Sequence, residues 1–146
     1  AEGCEDFEQY GSFPGTTVSL FSSIRDSEAD DLQATFDKFT ECPGITVQHN
    51  GVGEFEQQLV VQGEGNHAPD LAIIPQPGLL KRMVATGKVQ AADEATTAKV
   101  DEGWSPEWKT YGTVDDTFYA APMLASVKSF VWYSPSAFEA HGYEVP

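Results

Sequence analysis

Three short apolar runs, each followed by a segment with helical periodicity, restrict this 146-residue chain to few folds. Thr17-Val18-Ser19-Leu20-Phe21 reads as a buried strand. The polar turn Ser22 to Asp26 leads to Ser27, a good helix N-cap, with Glu28, Asp30 and Asp31 in the first turn, where the helix dipole favours carboxylates. Leu32, Phe36 and Phe39 form one apolar stripe, and Cys42-Pro43-Gly44 stops the helix. Ile45 to His49 alternates as a second strand, Asn50 to Gly53 turns, and Phe55 to Gln62 reads as a helix with Phe55 and Leu59 on one face. Asp70 to Ile74 is nearly all apolar, which predicts a central parallel strand covered on both faces. Pro77 suits the first position of a helix through Leu79, Leu80, Met83 and Val84, ended at Gly87. This β-α-β-α-β-α order predicts the α/β class: an open, mostly parallel sheet with helices on both faces and right-handed crossovers.

The remainder is less regular. Ala92 to Val100 is a further helical stretch, and Ser105-Pro106 starts another between Trp104 and Trp108. Asp115-Asp116 reads as the turn of a small hairpin. A Pro-containing loop then leads to an expected strand, Ser129 to Tyr133, and to a short amphipathic helix that begins at Ser134-Pro135 and stops at Gly142. In such a strand Phe130 and Trp132 face one way and Val131 and Tyr133 the other, so at least one pair is expected to be buried. No element follows to pair with that helix. The chain therefore reads as an N-terminal arm (1–16) and one α/β ligand-binding lobe (17–146) of a two-lobed protein whose second lobe is absent. Exposed apolar surface and self-association are the corollaries.

The net charge of −15, with only 8 Lys and Arg, argues against nucleic acid and against an anionic membrane surface. No apolar run approaches the roughly 18 residues that span a bilayer. Ala1-Glu2-Gly3 reads like a start left by processing. Cys4 and Cys42 are the two cysteines. They read as a disulfide that docks the acidic arm at the end of the first helix, implying an oxidising, extracytoplasmic location, either cell-surface or periplasmic and secreted. Two unrelated buried thiols, or a lipid-bearing Cys4 (disfavoured by Glu2), are the alternatives.

Ligands of open α/β sheets bind at the carboxyl ends of the parallel strands. That rule nominates Ser22, Ser23 and Arg25 after the first strand, Glu54 after the second, Gln76 after the third, and Ser126 and Lys128 before the last. Fixed hydrogen-bonding groups without a metal cage suit a polyhydroxylated ligand. Trp104, Trp108, Tyr111, Tyr119, Trp132 and Tyr133 are candidate stacking surfaces, although most read as packing residues. No G-x-S-x-G or H-E-x-x-H motif occurs, and Ser22-Ser23-Ile24-Arg25 lacks the glycines of a phosphate loop. His49, His67 and His141 are scattered, without the spacing of a metal ligand set. Neither a catalytic residue nor a metal or cofactor is expected. A secreted α/β hydrolase and a surface interaction domain remain as alternatives.

Ala68-Pro69-Asp70-Leu71-Ala72-Ile73-Ile74-Pro75-Gln76-Pro77-Gly78 resembles the third-strand signature of extracellular solute-binding proteins of carbohydrate ABC transporters, a group that includes maltose-binding proteins. The stretch from Tyr119 through Pro122, Ser129–Pro135 and Phe138 to Tyr143 is similar to that family's crossing strand and following helix. The Pro-Gln-Pro-Gly form and Lys128-Ser129 most resemble an α-glucoside-binding subgroup. The resemblance implies two α/β lobes closing over a saccharide and docking on a membrane permease. It places cleft contacts on the same seven residues named above. Ile74-Pro75 stands where maltose-binding protein carries a tryptophan, which departs from maltodextrin stacking.

Overall fold

The computed structural model describes residues 3–125 and 129–145. Strands β1 (Thr16–Ser22), β2 (Ile45–Gly51) and β3 (Leu71–Ala72) form a parallel sheet in the order β2-β1-β3. The register pairs Leu20 with both His49 and Leu71, and Ser22 with Gly51. Leu20 and Phe21 point to opposite faces of β1, and both are buried. The first strand, and not the third, is therefore the one covered on both sides. β3 is short and lies at an edge of this sheet among the described residues, with Leu71 53% exposed. Its apolar composition predicted a central position; what it provides instead is one wall of an open groove.

Helices α1 (Asp26–Ala34) and α2 (Asp37–Glu41) connect β1 to β2. The expected single helix is broken: the chain changes course at Thr35 and Phe36, and α1 starts at Asp26, one residue before Ser27. Leu32, Phe36 and Phe39 are only half-buried, so their stripe did not build a continuous helix. Gln33 ties α1 to β2, donating to the Val47 carbonyl and accepting from the His49 N–H.

Helix α3 (Phe55–Glu64) precedes β3, and α4 (Pro77–Val84) follows it. Phe21, Phe55, Leu59, Val60, Leu79 and Met83 make the main core cluster. Gly63 lets α3 approach α4, since a β-carbon there would lie 2.7 Å from the Met83 methyl. Asp70 fastens the start of β3 to β1: one carboxylate oxygen accepts from both the N–H and the hydroxyl of Ser19, each at 2.8 Å. Those two bonds, backbone first, hold the Asp70 carboxyl below its ordinary pKa.

Helices α5 (Glu94–Gly103) and α6 (Pro106–Tyr111) lead into a two-stranded hairpin, β4 (Thr113–Val114) and β5 (Thr117–Phe118). Asp115 and Asp116 both take positive φ, at 46° and 62°, the geometry of a tight two-residue hairpin turn, as their position between the runs predicted. Helix α7 (Pro135–His141) starts at Ser134, whose hydroxyl accepts from the Ala137 N–H, and ends at left-handed Gly142.

The expected strand at Ser129–Tyr133 is not formed: residues 129–133 are irregular, and neither face is buried. Val131 and Trp132 are 93% and 89% exposed. Alternation alone does not make a strand. Its backbone groups need a neighbouring ladder, and the described residues supply none there.

Cys4 and Cys42 are bonded, with their Cα atoms 5.5 Å apart. The arm is not held by the disulfide alone. Its 3₁₀ helix (Glu5–Tyr10) places Phe7 and Tyr10 against Phe39, at 5.3 and 5.2 Å between ring centroids. The Phe13 N–H also donates to the Pro43 carbonyl at 2.6 Å.

Candidate functional site

The order β2-β1-β3 reverses direction between β1 and β3, so the loops leaving these two strands diverge and open a crevice at their carboxyl ends. A cleft of about 680 Å³ occupies that place. It is lined by Leu20 and Ile24 from β1 and its turn, residues 71–77 of β3 and its loop, Leu80 of α4, Trp108, Tyr111 and residues 120–124. The lining is therefore mostly apolar and includes two aromatic side chains of α6.

Packing rather than chance aims those aromatics. Trp104, just after α5, packs edge to face on Trp108 of α6, and Trp108 on Tyr111, at 5.7 and 5.8 Å between centroids. Lys109 braces the same helix, pairing with Asp101 of α5 at 2.6 Å and lying 5.3 Å from the centre of the Phe118 ring. Tyr111 remains 59% exposed. The backbone at Gly112 takes the next turn so tightly that a β-carbon would fall 1.8 Å from the Ala120 carbonyl oxygen.

The seven residues nominated from sequence fall into separate groups. Gln76 lines the cleft. Its carbonyl caps α4 by accepting the Leu79 N–H, and its amide donates to Glu56 in the first turn of α3, each at 3.3 Å. Ser23, Arg25 and Glu54 are exposed at the carboxyl ends of β1 and β2, but they do not line the cleft itself. Arg25 lies over Gly53, its guanidinium nitrogen 3.4 Å from where a β-carbon would stand. Ser126 and Lys128 lie outside the described residues.

Ser22 differs from the rest in that its hydroxyl is buried against protein groups. The residue is 0% exposed. Its Oγ is 2.6 Å from His49 Nε2 and accepts the Ile24 N–H at 3.0 Å. Such a side chain shapes the turn that carries Ser23, Ile24 and Arg25. Asp26 completes that turn at φ 56°, a left-handed conformation that aspartate tolerates.

Sequence reasoning missed two contributors. Ile24 is an apolar residue in a polar turn, and its position next to the nominated serines is the usable signal. His49 has no metal-ligand spacing to mark it, and its proximity to Ser22 follows from the register of β1 on β2, which no local pattern reveals.

The family model described as bacterial extracellular solute-binding protein matches residues 25–146. The chain belongs to this family. It is 35% identical over 130 residues to the osmoprotective compounds-binding protein GgtB of Synechocystis, covering 88% of this chain and 31% of that protein. It is 32% identical over 149 aligned positions to the alpha-glucosides-binding periplasmic protein AglE of Rhizobium meliloti, covering 97% of this chain and 32% of that protein. The chain thus spans about a third of the length of these curated relatives. Among solved structures, the galacto-N-biose/lacto-N-biose I-binding protein of the ABC transporter from Bifidobacterium longum superposes with a TM-score of 0.60 at 18% identity, over 76% of this chain and 29% of that one. That likeness establishes the fold as the α/β lobe of a solute-binding protein. The family is one of extracellular binding proteins and not of enzymes, which sets the hydrolase reading aside and gives the chain an extracytoplasmic location.

Proposed function

We propose that residues 17–146 form the ligand-binding lobe of a solute-binding protein that captures a sugar or oligosaccharide, of the α-glucoside class, and delivers it to an ABC import permease. The observation that carries this reading is the cleft at the switch point between β1 and β3, whose lining includes Trp108, Tyr111 and Gln76. A sugar ring has apolar C–H faces and a hydroxyl equator, so it suits an aromatic wall beside a hydrogen-bonding rim. The similarity to an alpha-glucosides-binding protein over nearly the whole chain supports the same class.

In this reading Gln76 meets hydroxyls directly. Ser23, Arg25 and Glu54 form the rim toward the opposing lobe, Ser126 and Lys128 contribute further polar contacts, and Ser22 acts by holding its turn. A second lobe closing over the rim supplies the remaining contacts and the affinity. Cys4, already bonded to Cys42, has no thiol free to carry a lipid, which favours a periplasmic or secreted location over anchoring at that residue.

Tryptophan fluorescence titration of the chain extended to the length of its relatives, against α-glucosides, other saccharides, peptides and metal ions, tests the proposal. Saturable response to an α-glucoside is expected. Response only to peptides or metals would overturn it.

A further inference from the structure

His49 has no part in the binding reading so far, yet its ring is bonded to a hydroxyl that is wholly buried. A hydroxyl has one proton to donate and two lone pairs to accept with. Ser22 Oγ already accepts the Ile24 N–H, so its proton is best placed on a bare His49 Nε2. This arrangement selects the neutral ring with its proton on Nδ1. Were Nε2 protonated, two N–H groups would point at the same oxygen. The hydroxyl proton would then lack an acceptor, since no other side-chain bond to Ser22 Oγ exists among the described residues. A buried donor left unpaired is unfavourable, and the turn must move to satisfy it.

The end of β2 holds that turn in three ways. The Val52 N–H donates to the Ser22 carbonyl at 3.0 Å, the Ile24 carbonyl rests against Gly51, and the His49 ring meets Ser22. Of the three, only the last involves a group that can gain a proton. The charged groups on the elements packed around His49 are Arg25 in the turn, Asp26, Glu28, Asp30 and Asp31 on α1, and Asp37, Lys38 and Glu41 on α2. None of them bonds to the ring among the described residues, and Lys38 pairs with Glu41. Strands β1 and β3 carry no charged residue.

We propose that His49 is a positioning residue for the cleft: its neutral ring holds the Ser22–Arg25 turn through the Ser22 hydroxyl, and its protonation releases that turn, so that ligand capture is coupled to pH. The coupling to ligand rests on the saccharide reading above, whereas the coupling of ring to turn does not.

The test follows the backbone amides of Ser23, Ile24 and Arg25 by NMR in the 15N-labelled chain, together with the His49 ring, from about pH 8 to about pH 5. The Ile24 amide is expected to shift with the same midpoint as the His49 ring. In His49→Gln, which keeps an acceptor near the Nε2 position but has no proton to gain, the Ile24 amide stays flat. In Ser22→Ala the ring still titrates, but the amide no longer follows it, so the prediction survives if the histidine variant folds poorly. A flat Ile24 amide in the wild type while His49 titrates, or the same movement in His49→Gln, overturns the proposal. Adding an α-glucoside to the chain extended to the length of its relatives separates the two readings. Affinity that falls on acidification in the wild type but not in His49→Gln supports the link to capture. Ring–turn coupling with no saccharide bound at any pH overturns the saccharide reading and leaves the coupling standing.

Discussion

The carbonyl oxygen of Ile24 lies 1.7 Å from the point where a β-carbon on Gly51 would stand. No side chain fits there, so the turn after β1 can rest on the end of β2 only because residue 51 is glycine. Gly51→Ala must displace backbone rather than a flexible side-chain tip. It is expected to cost about 1–3 kcal/mol in a chemical denaturation series, the range seen for overpacked sites. It should also shift the amides of Ser23 to Arg25, whereas Gly103→Ala, where nothing crowds the added carbon, should leave them in place.

The Asp70–Ser19 bonds predict an acid-sensitive link between β1 and β3. The folded-state pKa of Asp70 is lowered, first by the Ser19 N–H and then by the Ser19 hydroxyl. A depressed carboxylate contributes stability that is present above its unfolded pKa and is lost as pH falls through the folded value. Asp70→Asn should therefore be less stable than the wild type at neutral pH. The gap should close as the medium becomes more acidic than the ordinary aspartate range. Thermal unfolding at both pH values reads this directly, and a gap that stays constant with pH would contradict it.

Reduction of Cys4–Cys42 reopens a loop spanning 38 positions. The chain-entropy model gives a loss of roughly 3–4 kcal/mol. Because Phe7 and Tyr10 also pack on Phe39, the arm should stay partly docked after reduction. Aromatic near-ultraviolet signal that persists in reductant but vanishes in Phe39→Ala would show that both contacts hold it.

Exposed Phe130, Val131 and Trp132 give the C-terminal part of the chain an uncovered apolar surface. Self-association at high concentration is the expected consequence, and Trp132→Ser should weaken it. Sedimentation showing a strict monomer across the concentration range would contradict this.

Much of the architecture was legible because it is written locally. Leu20 and Phe21 within one apolar run, Pro77 at the first position of α4, the Asp115-Asp116 turn and Gly142 after α7 each carry their own stereochemistry. What failed depended on partners elsewhere. Residues 70–74 looked central by composition, yet which strand is central depends on the order of strands across the sheet. Residues 129–133 alternate like a strand but have no ladder beside them among the described residues. The same division applies to the cleft. Gln76 was visible as a polar residue at a strand end, whereas the buried state of Ser22 and its bond to His49 arise from a 27-residue separation closed by register.

The central claim is that the carboxyl ends of β1 and β3 form half of a saccharide clamp. Chemical-shift mapping of this chain with an α-glucoside tests it most directly, comparing the wild type with Trp108→Ala. The account predicts weak, saturable shifts confined to the Ile24 turn, Gln76, Trp108 and Tyr111, with affinity lowered about tenfold or more in the variant, as for a buried aromatic anchor. Shifts clustered elsewhere on the molecule, or none with any saccharide while a peptide or metal ion produces them, would contradict it.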